Sequence, residues 1–427
     1  MKEVLISTLN NTSLWGVIIA SVFVISIGFI LMKTNIFKKE WLPGFTSVIM
    51  NVSLPAIAVK GFMSDINMGK LKEQAWILLI SFIFYFVLSL VAYLWMKFFY
   101  RKVPKSVENA NEETIIGALS GTDEKDSPRD KALVMWMLLI FGSTITFGMP
   151  IADEFYKNTP SHDTALVSVN VFNIMQRVFC YTYCFMMIKG IRLNKQNVKK
   201  SLRSIALNPA LIGTFVGLGL WLSQLIPGLG ASSIPADIKF NLDPKTSIQL
   251  VSKAKFGTNM QPIFFDADNN KYIFNSAINN YQLTEINPTG WFDFKITLPY
   301  FYKIAAVLSE LCTPLIWLTI GMKISESKLK SLFADKQAWL YSFLKLIVIQ
   351  LIIFGSLFLL NYYGKITKVS AISIMIITAT PPGAAPMAFV LNEKRASHFA
   401  VRASTLSTLL SLFIIPFWII ISEIVYI

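Results

Sequence analysis

Residues 142–150 read Gly-Ser-Thr-Ile-Thr-Phe-Gly-Met-Pro, and residues 380–386 read Thr-Pro-Pro-Gly-Ala-Ala-Pro. Each stretch lies inside an apolar segment that is long enough to form a helix. Proline lacks a backbone donor and clashes with the preceding turn, and glycine tolerates irregular backbone, so neither stretch fits a continuous helix. Two interrupted helices in corresponding positions of a chain are typical of secondary transporters, in which the substrate binds where the breaks meet.

Matching landmarks surround the two stretches in the same order. Each stretch is followed, at the same spacing, by a Ser-His pair, and these hold the only two histidines of the chain. Each is preceded by a Gln-Ala-Trp tripeptide and, earlier still, by a proline inside an apolar segment. The landmarks are Leu54-Pro55, Gln74-Ala75-Trp76 and Ser161-His162 in the first half, and Thr313-Pro314, Gln337-Ala338-Trp339 and Ser397-His398 in the second. This order predicts two repeated halves.

The composition is that of a membrane protein. The 427 residues are 54% hydrophobic and 15% charged, which is more apolar surface than a soluble chain of this length can bury. The formal net charge is +14. Because the basic residues cluster in loops between apolar segments, they indicate membrane orientation rather than nucleic-acid binding. The three cysteines fit small core residues and suggest no disulfide or metal framework.

Ten apolar segments are long enough to span a bilayer as helices. They are residues 13–33, 42–62, 75–99, 131–152, 163–188, 207–227, 299–322, 338–361, 369–391 and 399–425. Five precede the basic linker 189–206 and five follow it, and an odd number in each half inserts the halves in opposite orientations. The prediction is an all-α membrane protein with two inverted five-helix repeats, 1–188 and 207–427, in which helices 4 and 9 are broken and cross.

Basic residues place the linker 189–206 and the polar loop 103–130 in the cytoplasm. Both termini are then extracellular, in a plasma-membrane protein, as is the long insert 228–298. Within that insert, three short stretches indicate strands and a turn, with disorder as the alternative. The stretches are Phe264-Phe265, Tyr272-Ile273-Phe274 and the turn Asp268-Asn269-Asn270.

The two breaks predict a substrate site, because an opened helix exposes backbone groups that protein, water or a ligand must satisfy. The N-terminal ends of the resumed half-helices favour an anion. The candidate binding residues are Asn51, Ser143, Thr144, Gly148, Pro150, Arg177, Thr380, Pro381, Gly383 and Pro386. Arg177 fits a carboxylate substrate, which it can hold through two hydrogen bonds, or a partner for Glu310. A proline kink that only shapes helix packing is the alternative for each break.

Glu310 and Gln176 are the candidate coupling-ion residues. Glu310 lies one turn before Pro314 within an apolar span, where a charge is costly and usually functional. Burial there would raise the affinity of a carboxylate for a proton, and Na⁺ binding is another option. A glutamate that only ties helices together is the alternative. No cofactor is expected beyond H⁺ or Na⁺.

The two histidines begin their helices directly after serines. A serine at this position typically accepts hydrogen bonds from the first N–H groups of the helix. The pattern therefore favours helix capping by Ser161 and Ser397 over a proton relay through His162 and His398.

The chain resembles the auxin efflux carrier family of membrane transporters, including its bacterial malate-permease branch. The motifs that carry the resemblance are Asn51-Val-Ser-Leu-Pro55-Ala, Gly148-Met149-Pro150, Asn208-Pro209-Ala-Leu-Ile, Thr313-Pro314-Leu315 with Gly321, and Ser404-Thr405-Leu-Ser407 followed by Pro416. The resemblance implies a scaffold of helices 1, 2, 6 and 7 and a transport part of helices 3–5 and 8–10, which cross at Pro150 and Pro386. The chain departs from the family at Ser143, where asparagine is frequent, and in the length of 228–298.

The resemblance implies a secondary active transporter of small organic anions, such as malate or another mono- or dicarboxylate, in the lipid bilayer of the cell membrane. Alternating access would come from movement of the transport part against the scaffold. The first expectation for the coupling ion is H⁺, carried by Glu310, and uniport and Na⁺ coupling are the other options. The rivals are a Na⁺-coupled bile-acid-type symporter and a non-transporting membrane sensor or structural protein that binds a partner through the insert. No enzyme is expected, since the sequence has no ATPase or hydrolase motif. A homodimer is one option for the assembly.

Overall fold

The computed structural model describes residues 12–66, 68–100, 127–190, 209–226, 229, 234–235, 241–243, 246–254, 263–266, 268, 270–275, 280–286, 289–325 and 333–426. Most of the predicted loop 103–130, most of the linker 189–206 and part of the insert 228–298 lie outside these residues.

Most of the described chain is helical. The α-helices are α1 (Thr12–Lys33), α2 (Trp41–Val48), α3 (Leu54–Lys60), α4 (Met68–Phe99), α5 (Pro128–Ile140), α6 (Met149–Tyr156), α7 (His162–Phe179), α8 (Phe185–Lys189), α9 (Pro209–Ser223), α10 (Pro299–Glu310), α11 (Cys312–Ser325), α12 (Lys336–Phe343), α13 (Ile349–Tyr362), α14 (Lys368–Thr378), α15 (Ala384–Asn392) and α16 (Ser397–Val425). Four described turns are π-helical, which means that they hold one extra residue: Ile49–Ser53, Thr144–Gly148, Cys180–Cys184 and Leu344–Val348. Each π-helical turn continues directly into the α-helix that follows it.

Several of these helices have the length and composition of membrane spans. Six helical stretches of the described chain are long and apolar enough to cross a membrane. They are Trp41–Lys60, Met68–Phe99, His162–Lys189, Pro299–Ser325, Lys336–Tyr362 and Ser397–Val425. Large apolar side chains such as Phe86, Phe301 and Phe413 are exposed on their outer faces, as expected where lipid replaces water. The chain is therefore described as a helical membrane protein.

The helices pack into two groups. In the first group α1 lies along α11, and α3 packs against α9 and α10. In the second group α7 packs against α4 and α14, and α16 packs against α12 and α14. Glycine is required at the α1–α11 contact, because a Cβ on Gly28 or Gly321 would overlap the backbone of the facing helix.

The insert contains a six-stranded antiparallel sheet, so the expectation of an all-α protein is corrected for this segment. The strands are β1 (Ile234–Pro235), β2 (Asn241–Asp243), β3 (Thr246–Ala254), β4 (Ile263–Asp266), β5 (Lys271–Asn275) and β6 (Asn280–Leu283). Their order is β1-β3-β4-β5-β6, with β2 also paired to β3. The strands expected around Phe264 and Tyr272 are confirmed, and the alternative of disorder is wrong there.

Candidate functional site

The helical path breaks in two places, and the two breaks touch. Helix α5 ends at Ile140 and α14 ends at Thr378, and after each the chain is extended before a helix resumes. Gly142 and Pro382 face each other in these extended segments and pair as an antiparallel bridge. The structure therefore brings the two predicted breaks into direct contact.

Two backbone hydrogen bonds flank the bridge. The N–H of Ser143 donates to the carbonyl of Pro381 at 2.7 Å, and the N–H of Gly383 donates to the carbonyl of Phe141 at 3.0 Å. A Cβ on Gly383 would lie only 2.8 Å from the carbonyl oxygen of Gly142, so the close approach requires glycine. Each break thus satisfies backbone groups of the other, which irregular backbone at membrane depth needs.

The crossing lies earlier in the chain than the two prolines that were expected to mark it. Pro150 lies in the first turn of α6, and Pro386 lies in the first turn of α15. Proline is tolerated in a first turn because an N–H group there has no partner within its own helix. The prolines therefore begin the resumed half-helices, and the crossing itself is formed by Gly142 and Pro382.

The stretch α12–α13 supplies donors to the carbonyl ends of both broken helices. The last carbonyls of a helix have no partner within it, so a buried helix end needs donors from elsewhere. Three buried side chains provide them. The Tyr341 hydroxyl donates to the Leu138 carbonyl at 3.0 Å, and the Lys345 Nζ donates to the Leu139 carbonyl at 2.9 Å. The Gln350 amide donates to the Met375 carbonyl at 3.0 Å, which also accepts from the Ala379 N–H at 3.1 Å.

A cavity opens beside the crossing. It holds about 480 Å³ of empty space, counting the part that is open to solvent. Residues of both breaks, of the α2–α3 stretch and of the α7–α8 stretch line it: Met50, Leu54, Gly142, Ser143, Ile145, Thr146, Gln176, Arg177, Cys180, Tyr181, Gly383, Ala384, Ala385 and Pro386. Three of the four described π-helical turns contribute lining residues, in agreement with the frequent occurrence of such turns at functional sites.

The cavity is electropositive. The Arg177 side chain is 2% exposed, and it is the only charged one among the described residues that line the cavity. One of its guanidinium nitrogens donates to the hydroxyl of Thr214 in α9. Ala384 and Ala385 line the cavity from the first turn of α15, where the helix dipole favours an anion. An anionic ligand therefore meets favourable charge from a side chain and from a helix end.

Several predicted site residues meet at this cavity. Ser143, Gln176, Arg177, Gly383 and Pro386 all line it. The Gln176 amide donates to the carbonyl of Gly142 at 3.5 Å, so this side chain contacts the crossing directly.

The remaining predicted residues near the breaks pack behind the cavity. Thr144 is buried in its π-helical turn, and Pro150 is buried in α6. A Cβ on Gly148 would lie 2.5 Å from the Cα of Ile377, so Gly148 serves close helix packing. The Thr380 hydroxyl donates to the carbonyl of Ile377 at 2.9 Å. Pro381 contributes its carbonyl to the crossing.

Asn51 and Glu310 do not line the cavity. Both residues are exposed. The Asn51 amide donates to the Ser47 hydroxyl within its own helical stretch at 3.1 Å. The prediction that Glu310 is buried is therefore wrong, because the last residue of α10 points its carboxylate away from the packed interior.

Sequence reasoning missed Lys345, which is 2% exposed and lies next to the crossing. A Cβ on Gly142 would lie 3.0 Å from its Nζ. A signal for it was present, since Lys345 is the only charged residue between Lys336 and Lys365. A charge inside an apolar span is costly and usually functional.

The expectation that serines cap the two histidine helices is wrong. Ser161 precedes α7, but its hydroxyl makes no capping hydrogen bond. Ser397 lies inside the first turn of α16, and Ala396 precedes that helix. His162 is instead buried against a carboxylate, with its Nε2 2.7 Å from the Oδ1 of Asp153.

No protein-family model matches the chain, and no curated protein matches it. The function is therefore inferred from the crossing and the cavity beside it.

Proposed function

We propose that the protein is a secondary transporter of small organic anions of the mono- or dicarboxylate class, such as malate. The observation that carries the proposal is the cavity at the crossing, where a buried arginine and the start of a half-helix meet. The two oxygens of a carboxylate match the donor fork of a guanidinium, and the helix dipole adds to the attraction. Lys345 adds a buried hydrogen-bond donor beside the crossing. The resemblance to auxin efflux carriers implies the same substrate class.

The proposed topology has ten spanning segments in two inverted five-segment repeats, with both termini outside the cell. The first packing group corresponds to the scaffold and the second to the transport part. Met50 and Leu54 of the first group face the crossing of the second group across the cavity. Movement of one group against the other would therefore change access to the ligand, as alternating access requires. The protein performs no covalent chemistry on its substrate.

Counterflow in proteoliposomes tests the transport function. Vesicles loaded with unlabelled malate should accumulate labelled malate, and a panel of mono- and dicarboxylates then defines the class by competition. Failure of every carboxylate to give counterflow would contradict the proposal. Uptake that requires Na⁺ would favour a bile-acid-type symporter, and ligand binding to the insert without flux would favour a sensor.

The role of Arg177 is tested by replacing its charge. Arg177→Gln keeps a donor but removes the charged fork, and a hydrogen bond to a charged group is worth about 1.5–3 kcal/mol. Affinity for the carboxylate should therefore fall about ten- to a hundredfold. Arg129→Gln, at the start of α5 and away from the cavity lining, is the matched control. A folded Arg177→Gln protein with unchanged affinity would remove this cavity as the anion site.

Orientation is tested by cysteine labelling. Asn158→Cys and Asn392→Cys place exposed thiols at residues that the proposed topology puts on opposite sides of the membrane. In a background without the three native cysteines, only Asn158→Cys should react with an impermeant reagent in sealed cells. Labelling of both positions from outside would contradict the topology.

A further inference from the structure

Five ionisable side chains form a chain across one end of the helix bundle. The Lys60 Nζ lies 3.7 Å from Asp153 Oδ1, and the same oxygen lies 2.7 Å from His162 Nε2. The other ring nitrogen of His162 lies 3.7 Å from an oxygen of Asp163, which the Lys295 ammonium binds at 2.5 Å. Lys60, Asp153 and His162 are each less than a tenth exposed, so this part of the chain is shielded from water.

Both ring nitrogens of His162 face carboxylate oxygens. A neutral imidazole has one N–H and one lone pair, so it can offer a proton to only one of the two carboxylates. An imidazolium donates a hydrogen bond to Asp153 on one side and attracts Asp163 by charge on the other, since 3.7 Å is too long for a hydrogen bond. The arrangement around His162 therefore fits the protonated ring.

Around the His162 ring, the positive and negative charges become equal in number when one proton is added. Two lysines, Lys60 and Lys295, face three carboxylates, because Asp293 lies in the same loop as Lys295 and is also buried. Burial raises the pKa of the Asp293 carboxyl, and the nearby charge of Asp163 acts in the same direction. Burial thus disfavours further negative charge here, and a proton either on Asp293 or on His162 relieves it.

Glu310 is a further carboxylate that acts on Tyr302, but from an exposed position at the end of α10. The remaining ionisable groups near the cluster do not change this balance. The ion pairs Asp65–Lys70 and Glu154–Lys157 are each neutral as a pair. The ring of Tyr302 in α10 lies 5.6 Å from the Lys295 ammonium, and Cys312 begins α11 nearby. A tyrosine hydroxyl and a thiol are uncharged at neutral pH. An imidazole is the side chain whose ordinary pKa lies nearest neutral pH, so His162 is the first candidate for proton uptake, and Asp293, whose pKa burial raises, is the second group that can gain a proton as the pH falls.

The cluster joins the two packing groups. Lys60 lies in α3 and Lys295 precedes α10, both in the first group, whereas Asp153 in α6 and His162 in α7 belong to the second. Asp153 also lies on the half-helix that leaves the crossing. At 1.5 Å per residue it is roughly 10 Å along the helical path from Thr146, which lines the cavity. A change of charge at this end therefore acts on the half-helix that borders the substrate cavity.

We propose that His162, held between Asp153 and Asp163, binds the proton that is coupled to transport. This inference rests on the transport function proposed above. One proton enters from the water at this end of the bundle, adds to an imidazole nitrogen and leaves that nitrogen later in the cycle, and no other bond forms or breaks. Loss of the proton leaves one carboxylate facing a lone pair, which weakens the connection between the two groups and lets them move apart.

His398 provides a matched control, since it is the only other histidine and lies half-buried at the start of α16. The wild-type protein should accumulate labelled malate under an imposed pH gradient and exchange it by counterflow without a gradient. His162→Gln retains a donor and an acceptor but cannot be protonated, so it should lose gradient-driven accumulation and keep counterflow. His398→Gln should match the wild type in both assays.

A second readout does not depend on transport. In ¹⁵N NMR spectra of histidine-labelled protein at about pH 6, His162 should show both ring nitrogens protonated, and Asp153→Asn should reduce that form. If His162→Gln does not fold, Asp163→Asn removes one of the two facing charges at a half-exposed position. Gradient-driven accumulation should then require a lower pH than in the wild type.

The possible outcomes separate the proton site from the transport function. If His162→Gln accumulates malate under a pH gradient to the same level as the wild type, His162 is not the proton site. A neutral His162 ring in the NMR spectra would also overturn the proton site. Counterflow by the wild type without any response to a pH gradient would overturn the proton site and leave transport intact. Absence of counterflow would overturn the transport function and the coupled proton site together.

Discussion

Among single residues, the glycines of the crossing matter because they lack a side chain. A methyl group at Gly383 would press on the Gly142 carbonyl at 2.8 Å, and that atom belongs to a backbone fixed by two hydrogen bonds. Gly383→Ala should lower the free energy of unfolding by about 1–3 kcal/mol, as overpacking in a dense interior does. Thermal unfolding in detergent measures this change.

Gly219→Ala is the control for that experiment, because a Cβ at Gly219 meets nothing within 4 Å. The added methyl group should leave stability unchanged or raise it slightly, since alanine is the better helix former. Equal stability of the two variants would show that the crossing is looser than its geometry indicates.

Asp266 should make the insert sensitive to acid. Burial alone would raise its pKa, but hydrogen bonds from the side chain and backbone of Asn270, from Tyr272 and from Asp268 lower it below its usual range. The stability that it contributes is complete above the unfolded-state pKa of about 3.9 and is lost as the pH falls toward the lowered folded-state value. The protection factors of 263–275 against hydrogen exchange, corrected for the intrinsic exchange rate at each pH, should therefore fall below about pH 4. In Asp266→Asn this pH response should disappear.

Some site residues could be predicted from sequence because their chemistry is local. Arg177 and Gln176 are conspicuous polar residues in an apolar span, and Gly383 follows two prolines. Asn51 and Glu310 are just as conspicuous but face outward. The direction of a side chain depends on the rotation of its helix, and π-helical turns shift that rotation by an extra residue.

At the level of secondary structure, α12–α13 stabilises both broken helices through the buried side chains of Tyr341 and Gln350. Gln350→Leu would remove the donor to the carbonyl of Met375 and to the hydroxyl of Thr378. The Met375 carbonyl keeps the Ala379 N–H as a donor, so the change removes two buried hydrogen bonds, which together contribute about 1–3 kcal/mol. The free energy of unfolding should fall by that amount, measured by thermal or chemical denaturation in detergent.

The control for Gln350→Leu is Ser356→Ala on the same helix. The Ser356 hydroxyl is exposed and donates only to the Ile352 carbonyl of its own helix. Its removal should change stability by less than about 0.5 kcal/mol. A loss of similar size in both variants would mean that α12–α13 does not sustain the broken ends through Gln350.

The amino-acid sequence predicts that two helices break, but it does not predict which residues form the crossing. Proline and glycine in 142–150 and 380–386 exclude a regular helix, and this depends only on local backbone chemistry. Which residues of each stretch meet is decided by the partner break, and the two segments are far apart in the chain. The donors from α12–α13 were missed for the same reason.

For the molecule as a whole, the two packing groups predict a movement that a cross-link should block. Gly61 in the first group lies against Asn170 in the second, and the Asn170 amide donates to the Ala58 carbonyl at 3.3 Å. A disulfide in Gly61→Cys/Asn170→Cys, without the native cysteines, should abolish counterflow. A reductant should restore it.

A cross-link within one group is the matched control. The hydroxyls of Ser168 in α7 and Ser370 in α14 lie 2.8 Å apart, both in the second group. Ser168→Cys/Ser370→Cys should form a disulfide and keep counterflow. The two groups do not move as rigid units if counterflow continues in the Gly61–Asn170 cross-linked protein. The same conclusion follows if counterflow is lost in the Ser168–Ser370 control.

The bridge between Gly142 and Pro382 also constrains how the chain is made. A ribosome adds roughly 5–20 residues per second, so Pro382 emerges about 10–50 seconds after Gly142. During that delay the Ser143 N–H and the Phe141 carbonyl have no Pro381 or Gly383 to bind, and unsatisfied groups in lipid cost several kcal/mol each. Until then these groups of the nascent first half need other partners, such as water, an insertase or a temporary helix through the break. Chains that terminate early should consequently be targets of membrane quality control.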